Sequence, residues 1–261
     1  MRDEQPTLSV VVPAYNEAER LGETLRNVLR HLRARRGSRR IGSCEVIVVD
    51  DGSADATAAV ATALAAADPW LRLIRVGPNR GKGHAVRVGV LASLGDRVLV
   101  CDADSSTPIE ELDRLERALD DGADDAHASR AGRAARIGVP QPAVRERLGR
   151  AGNAAIRRLL LPGVFDTQCG FKLYDGPAAR RVLGLVRTDG WGFDIEVLYL
   201  FRRAGARICE VPVRWDHRAG STVRPTAYLA VGADLLRLRL RYLRWAPPVD
   251  GCRTVRVRSV A

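Results

Sequence analysis

The chain of 261 residues is short of cysteine, aromatic residues and lysine, and it has no long apolar run. The five cysteines, Cys44, Cys101, Cys169, Cys209 and Cys252, are odd in number, widely spaced and form no CxxC, which argues for a reducing compartment and against a zinc site. Phe, Trp and Tyr together make up 5% of the residues. That is too few for a face on which aromatics and basic residues interleave along a nucleic acid, so nucleic-acid binding is not expected. No stretch reaches the roughly 18 consecutive apolar residues of a membrane-spanning helix, so any membrane contact is expected to be peripheral. The opening MRDEQPTLSVVV lacks a basic region followed by an apolar segment and a cleavage site. A signal peptide is therefore not expected, and a cytoplasmic location is, reaching at most to the cytoplasmic face of a membrane. Two lysines stand against 40 arginines and the net charge is +11, which suits anionic partners but also fits the arginine usage of a GC-rich genome.

What is present is ordinary globular material, 46% hydrophobic and 28% charged, which excludes disorder, collagen and coiled coil. Leu8–Val12 reads as a strand ending at Pro13, and Leu21, Leu25, Val28, Leu29 and Leu32 recur at helical spacing. The pattern repeats in EVIVVDDGSADATAAVATALAAA, in LRLIRV with the glycine-rich stretch after it, and in RVLVCDADSST. Strands alternating with helices predict an α/β fold with a mostly parallel sheet, and unbroken runs such as VIVV and VLVC suit strands buried on both faces. Residues 120–152 are polar and rich in Gly and Arg and read as a mobile loop running into a helix. Residues 192–204 read as a helix and 206–217 as a strand, whereas 233–245 fits either a helix or a strand with one charged face. No linker divides the chain; residues 1–225 are expected to form the catalytic domain and 226–261 an amphipathic extension.

In open parallel sheets ligands bind at the carboxyl edge, where Asp50, Asp51, Asp102 and Asp104 then converge. Asp102 and Asp104 are two apart, so on an extended strand both carboxylates face one side and suit Mg²⁺ or Mn²⁺ shared with substrate phosphates. The same spacing also fits an exposed Asp turn. The Asp50–Asp51 pair suits either a ribose or base contact or a capped strand-to-helix turn. NRGKGHA, residues 79–85, offers small residues, backbone N–H groups and Lys82 near a helix start, a cradle for phosphate that is not a Walker A motif.

The strings VVPAYNEAERL, EVIVVDDGSADAT, NRGKGHAVRVGV, DADSST, DTQCGFKLY and WGFDIEVLYL, in this order, resemble the family 2 glycosyltransferases of GT-A fold, and within them the dolichyl- and polyprenyl-phosphate β-glucosyltransferases. The resemblance implies a single GT-A domain that moves a hexose, with inversion, from a UDP-sugar to a polyprenyl or dolichyl phosphate, using a divalent cation. Glucose follows from the branch alone, and a soluble or natural-product acceptor is the alternative. Carried over by residue, Pro13, Tyr15, Glu17 and Asp51 line the uridine pocket and Lys82 approaches the base or diphosphate. Asp102 lies near the ribose or diphosphate and shares the metal with Asp104, its principal ligand. Asp166, Asp194 and Glu196 are the carboxylates expected to act as base or as organisers of the site. His217 is a candidate metal ligand, and Ser105 stands where the family has glycine.

A lipid phosphate acceptor already carries a negative oxygen, so it needs cationic positioning more than a strong base, and arginine forks supply it. Arg130, Arg145, Arg147 and Arg150 are the candidates, with a solvated basic helix face as the competing reading. Peripheral membrane contact is expected from ADLLRLRLRYLRW, taken as a helix with Arg237, Arg241 and Arg244 on one side and the leucines, Tyr242 and Trp245 on the other.

Overall fold

The computed structural model describes residues 6–37, 42–131, 134–140, 143–218, 226–243 and 258–259. Four units of strand and helix open the chain: β1 (Leu8–Ala14), α1 (Ala18–Gly37), β2 (Cys44–Asp51), α2 (Thr57–Ala67), β3 (Leu71–Val76), α3 (Lys82–Ala92), β4 (Arg97–Cys101) and α4 (Leu112–Asp120). They are followed by β5 (Asp125–Ser129), β6 (Arg136–Ile137), α5 (Ala143–Leu159), β7 (Phe171–Asp175), α6 (Gly176–Leu185), α7 (Phe193–Arg203), β8 (Ile208–Pro212), β9 (Arg214–Trp215), α8 (Thr226–Leu243) and β10 (Arg258–Ser259).

The main sheet runs β10-β8-β5-β7-β4-β1-β2-β3, and β6 pairs with β9 in a separate ribbon. All main-sheet pairings are parallel except those of β7, which runs antiparallel to β4 and β5. The α/β class with a mostly parallel sheet is therefore as the sequence predicts. Alternate residues of the central strands serve two cores, as expected for strands covered on both faces. Val10, Val12, Val46 and Val48 pack with α1, α2 and α4. Val11, Ile47 and Val49 pack with α3 and with the residues of α5, α6, α7 and α8 that close the other face.

Two expectations change. Within the stretch 120–152, read as a mobile loop, Asp125–Ser129 is instead β5, buried along its length between β7 and β8. The ambiguous C-terminal segment is helical, and its Leu235, Leu238 and Tyr242 lie at i, i+3 and i+7 and join the second core. Of the residues given to its polar and apolar sides, Arg244 and Trp245 lie outside the described residues.

Parallel packing of β1 between β2 and β4 brings the carboxyl ends of all three to one edge. The β1–β4 ladder ends at Val11↔Val100, before Pro13, which has no N–H to give a longer one.

Candidate active site

At the end of β2 the two aspartates are inward-facing. Asp50 is buried and accepts the N–H of Ser53 at 3.1 Å, closing a turn in which Gly52 has φ +75°. Asp51 is 2% exposed and accepts the N–H groups of Arg80 at 3.1 Å and Gly81 at 2.7 Å, with the His84 Nδ1 3.4 Å away. Its carboxylate therefore holds the glycine-rich loop against β2 and is engaged by the protein itself. Gly81 has φ +114°, and a Cβ there would stand 2.6 Å from the Asp189 carbonyl. Arg80 and Arg87 in turn hold the Asp189 carboxylate at 2.9 and 3.1 Å, fixing the loop before α7 onto α3.

The turn after β1 is joined to the turn after β2: Asn16, in the left-handed region at φ +54°, accepts from the Ala54 N–H and donates its own N–H to Ser53 Oγ. Pro13 is buried within β1 and Tyr15 is exposed. Glu17 pairs with Arg20 at 2.6 Å. Its pKa is raised, first by burial, against the pull of Arg20, and further by the negative charge of Asp104 and Asp102.

The acidic centre lies just past β4. Asp102 Oδ1 is 2.6 Å from Lys82 Nζ, and that ammonium also faces the Trp191 ring at 5.4 Å. Burial raises the Asp102 pKa; Lys82 opposes this, and Asp104 and Asp194 reinforce it. Burial alone would depress Lys82, but Asp102, with Asp194 and Asp104 behind it, outweighs burial and keeps the lysine charged. Asp104 Oδ1 accepts the Ser106 N–H at 2.9 Å. Ser105 between them takes φ +53°, the conformation a glycine would adopt without strain. Gly170 closes the opposite wall: a Cβ there would fall 1.9 Å from Asp102 Oδ2, so only glycine lets the two segments approach. Asp102, Ser106, Thr107, Gly170, Phe171 and Trp215 line the resulting recess.

These residues fit a divalent cation shared with a phosphate ligand. Asp102, Asp104 and Glu17 bring three carboxylates together, against which Lys82 and Arg20 set two cations. Among the described residues no closed cluster of three or more His, Cys, Asp or Glu is preformed. An open, oxygen-only pair is the form in which Mg²⁺ or Mn²⁺ is completed by phosphate oxygens and water.

The other predicted carboxylates are committed to cations. Asp166 receives the Arg130 guanidinium through two bonds, Nε at 2.7 Å and an Nη at 2.8 Å, together with the Arg130 backbone N–H at 2.9 Å. Although burial would raise its pKa, Arg130 holds the carboxyl down at about 2. Arg130 also lies over Trp215 at 5.4 Å. It is thus a partner of Asp166, not the open phosphate fork expected from the sequence. Asp194 bonds Lys172 Nζ, itself 1% exposed, and the same ammonium donates to the Thr167 carbonyl at 2.9 Å. Glu196, fully buried, accepts from the N–H groups of Arg187 and Thr188, from Arg241 at 3.0 Å and from the Tyr242 hydroxyl at 2.7 Å. Asp166, Asp194 and Glu196 are thus each held in hydrogen bonds by neighbouring cations and N–H groups.

Arg241, placed by sequence on the basic side of an amphipathic helix meeting a membrane, instead pairs with Glu196. The His217 N–H binds the Val139 carbonyl at 3.0 Å and its ring centroid stands 6.1 Å from that of Trp215, so the histidine flanks the recess without forming a ligand cluster with the aspartates. Arg147 and Arg150 are exposed on α5, Arg150 paired to Glu146 at 3.5 Å. Arg145 is in the same helix, and its side chain lies outside the described residues.

Four contributors escape a reading of the sequence alone. Trp191 and Gly170 stand inside the family motifs, where nothing local gives them a partner. Lys172 is one of only two lysines in an arginine-rich chain and stands in DTQCGFKLY, but neither signal gives it its partner. Glu210, in β8, accepts the N–H groups of Phe165 and Asp166 at 2.8 Å each, and nothing in its local pattern distinguishes it.

Comparison with known proteins adds a family. The sequence model of glycosyl transferase family 2 matches residues 9–183. A dolichyl-phosphate beta-glucosyltransferase of Homo sapiens is 36% identical over 248 residues, covering 92% of this chain and 76% of that protein. One of Saccharomyces cerevisiae is 31% identical, with the same coverage of 92% and 76%. Among solved structures, glucosyl-3-phosphoglycerate synthase from Mycobacterium tuberculosis, crystallised with Mn²⁺, UDP-glucose and phosphoglyceric acid, superposes with a TM-score of 0.66 at 24% identity over 90% of this chain and 80% of that one.

Proposed function

The chain belongs to glycosyl transferase family 2, and from that premise we propose that it transfers glucose from UDP-glucose to a dolichyl or polyprenyl phosphate, inverting the anomeric centre with the help of Mg²⁺ or Mn²⁺. The observation that carries this reading is the meeting of Asp102, Asp104 and Lys82 beneath the glycine-rich loop, at the shared carboxyl edge of β1, β2 and β4.

In this reading Asp104, with Asp102 beside it, holds the cation, which when bound neutralises charge growing on the departing diphosphate. Lys82 adds a fixed positive charge next to the same oxygens, steadied by Asp102 and the Trp191 ring. Tyr15 and Glu17, with the turn that Asp51 pins, border the nucleoside end. A phosphate oxygen of the acceptor forms the new bond to the anomeric carbon as the bond to UDP breaks on the opposite face. That oxygen is already anionic at neutral pH, so no side chain has to remove a proton. This agrees with Asp166 and Asp194 each being held by a cation, the half-buried Arg130 and the buried Lys172. Their work is to fix the segment Asp166–Gly170 against Asp102. Arg145 and Arg147 remain the side chains proposed to meet the acceptor phosphate.

The test is UDP release from a panel of UDP-sugars with Mg²⁺ or Mn²⁺, with and without a short polyprenyl phosphate in detergent. Release that needs UDP-glucose, the cation and the lipid phosphate together is expected. Binding of the donor without lipid-dependent release would move the acceptor to a soluble molecule. Release from a different sugar alone would replace glucose.

A further inference from the structure

Exposed large apolar side chains gather on one part of the surface. On α5, Leu148 and Leu159 are 47% and 46% exposed, and eleven residues apart they fall on one side of the helix, about three turns from each other. On α8, Leu236 and Leu240 are 65% and 70% exposed and share a side as an i, i+4 pair. Arg239 joins the two helices by donating to the Leu159 carbonyl at 3.1 Å. Phe165, 50% exposed, extends the patch from the turn after α5, with Arg157 over its ring at 4.9 Å. An open groove of about 540 Å³ lies within this region, lined by Leu159, Pro162, Tyr199, Arg202, Arg203 and Arg239.

The region is also dense in arginine. Elsewhere many arginines are matched, as Arg33 is with Asp68, Arg72 with Glu45, Arg80 with Asp189 and Arg97 with Asp120, although Arg26, Arg36, Arg117 and Arg181 also form no ion pair among the described residues. Around the patch, Arg147, Arg157, Arg158, Arg202, Arg203 and Arg239 form no ion pair with a carboxylate among the described residues. Arg202 and Arg239 each spend one donor on a carbonyl of the turn, Pro162 at 2.7 Å and Leu159 at 3.1 Å, out of the five a guanidinium carries. Apolar side chains that project between unmatched arginines are complementary to a bilayer surface, where acyl chains lie beneath phosphate.

We propose that α5, the turn after it and α8 form a docking face for an anionic membrane surface, with a lipid headgroup phosphate in the arginine-lined groove. This deepens the acceptor reading above and rests on it for its purpose. The inner side of α5 ties the face to the site: Asn153 accepts the Thr167 hydroxyl at 3.0 Å, and the Thr167 carbonyl binds the lysine that holds Asp194. The face differs from the amphipathic helix expected from sequence, since Arg241 is turned to Glu196 and Arg237 to Asp234.

The experiment is co-sedimentation of the full chain with phosphatidylcholine vesicles, with and without phosphatidylserine. Wild-type protein is expected to pellet with the anionic vesicles alone and to be released by salt. The double variant Leu236→Glu, Leu240→Glu should bind at least about tenfold more weakly, and Arg203→Glu at least about fivefold more weakly, the amount that loss of a single charge near an anionic surface already costs. All should keep the wild-type melting temperature and the same UDP release with short polyprenyl phosphate in detergent. No binding by the wild type, or equal binding by the variants, overturns the docking face. Vesicle binding without any lipid-dependent UDP release supports the face and overturns the acceptor reading instead. Release without vesicle binding does the reverse.

Discussion

Across β2, β1 and β4 the strand centres are apolar and the acidic residues of the site sit at or just past their carboxyl ends; across β7, β5 and β8 the charges are inside the sheet. In the first group VIVV and VLVC are buried without a charged side chain. In the second, Asp125, His127, Ser129, Lys172 and Glu210 are all buried, joined by bonds such as His127 Nδ1 to Asp125 at 2.7 Å and Ser129 to Glu210 at 3.0 Å. The difference shows two ways to place a site. An apolar strand delivers a carboxylate to solvent at its end, where a substrate or cation completes it. An ionic strand completes itself and positions the neighbouring segment, here Asp166–Gly170.

The comparison is broken most severely at Asp104. Asp104→Asn keeps an oxygen for the Ser106 N–H and so should leave the melting temperature unchanged, while UDP release falls by about a thousandfold or more. Near-normal turnover would show that the end-of-strand charges do not hold the cation. The matching change in the ionic half is Arg130→Ala, which leaves the Asp166 carboxylate buried without its cation. A loss of about 3–5 kcal/mol in urea unfolding is expected. Because Asp166 is depressed to about 2, its stabilising share is present above the ordinary carboxylate range and is lost as pH falls toward that value. The gap between variant and wild type should therefore narrow between about pH 4 and pH 2. A gap independent of pH would show that the pair adds nothing beyond packing.

Gly170 is where the two halves touch, and Gly170→Ala sharpens the contrast. Its added methyl would meet Asp102 Oδ2, so either Asp102 leaves Lys82 or the 166–170 segment retreats. A cost of about 1–3 kcal/mol follows from overpacking, and UDP release should fall by about tenfold or more. A variant with full activity would mean that the segment has room to move.

The same contrast explains what the sequence discloses. Leu8–Val12, VIVV and VLVC carry long β-branched runs, so the parallel half and its acidic edge are legible from residue order alone. β5 reads DAHAS: its apolar positions are alanines and its polar ones pair with one another or with the next strand, as His127 does with Asp125 and Ser129 with Glu210 of β8, so neither hydrophobicity nor periodicity marks it as a central strand. β7 is masked by Lys172, whose burial depends on Asp194, 22 residues further along the chain. The motif residues are legible as a set, but their bonds are not. Whether Asp51 faces a ligand or a loop N–H, and whether Arg130 faces a phosphate or Asp166, is decided by segments distant in sequence.

The smallest effect is expected at Ser105, where a non-glycine residue occupies the left-handed region at φ +53°. Thr24 donates its one hydroxyl proton to the Ala103 carbonyl at 2.7 Å, so in its 2.8 Å contact with Ser105 it must accept. Three effects compete in Ser105→Gly. Relief of the backbone strain favours the variant by about 1 kcal/mol, the freer unfolded chain opposes it by about 0.5–1, and loss of the hydrogen bond to Thr24 opposes it by about 1. The sum is a destabilisation of at most about 1 kcal/mol, seen in thermal or urea unfolding. Ser105→Ala keeps the strain and loses only the bond, so it should be at least as unstable as the glycine variant. If instead the glycine variant is more stable than wild type, the strain outweighs the bond. The serine would then be a cost carried beside the acidic centre, and the turn after Asp104 would be held by the Ser106 N–H alone.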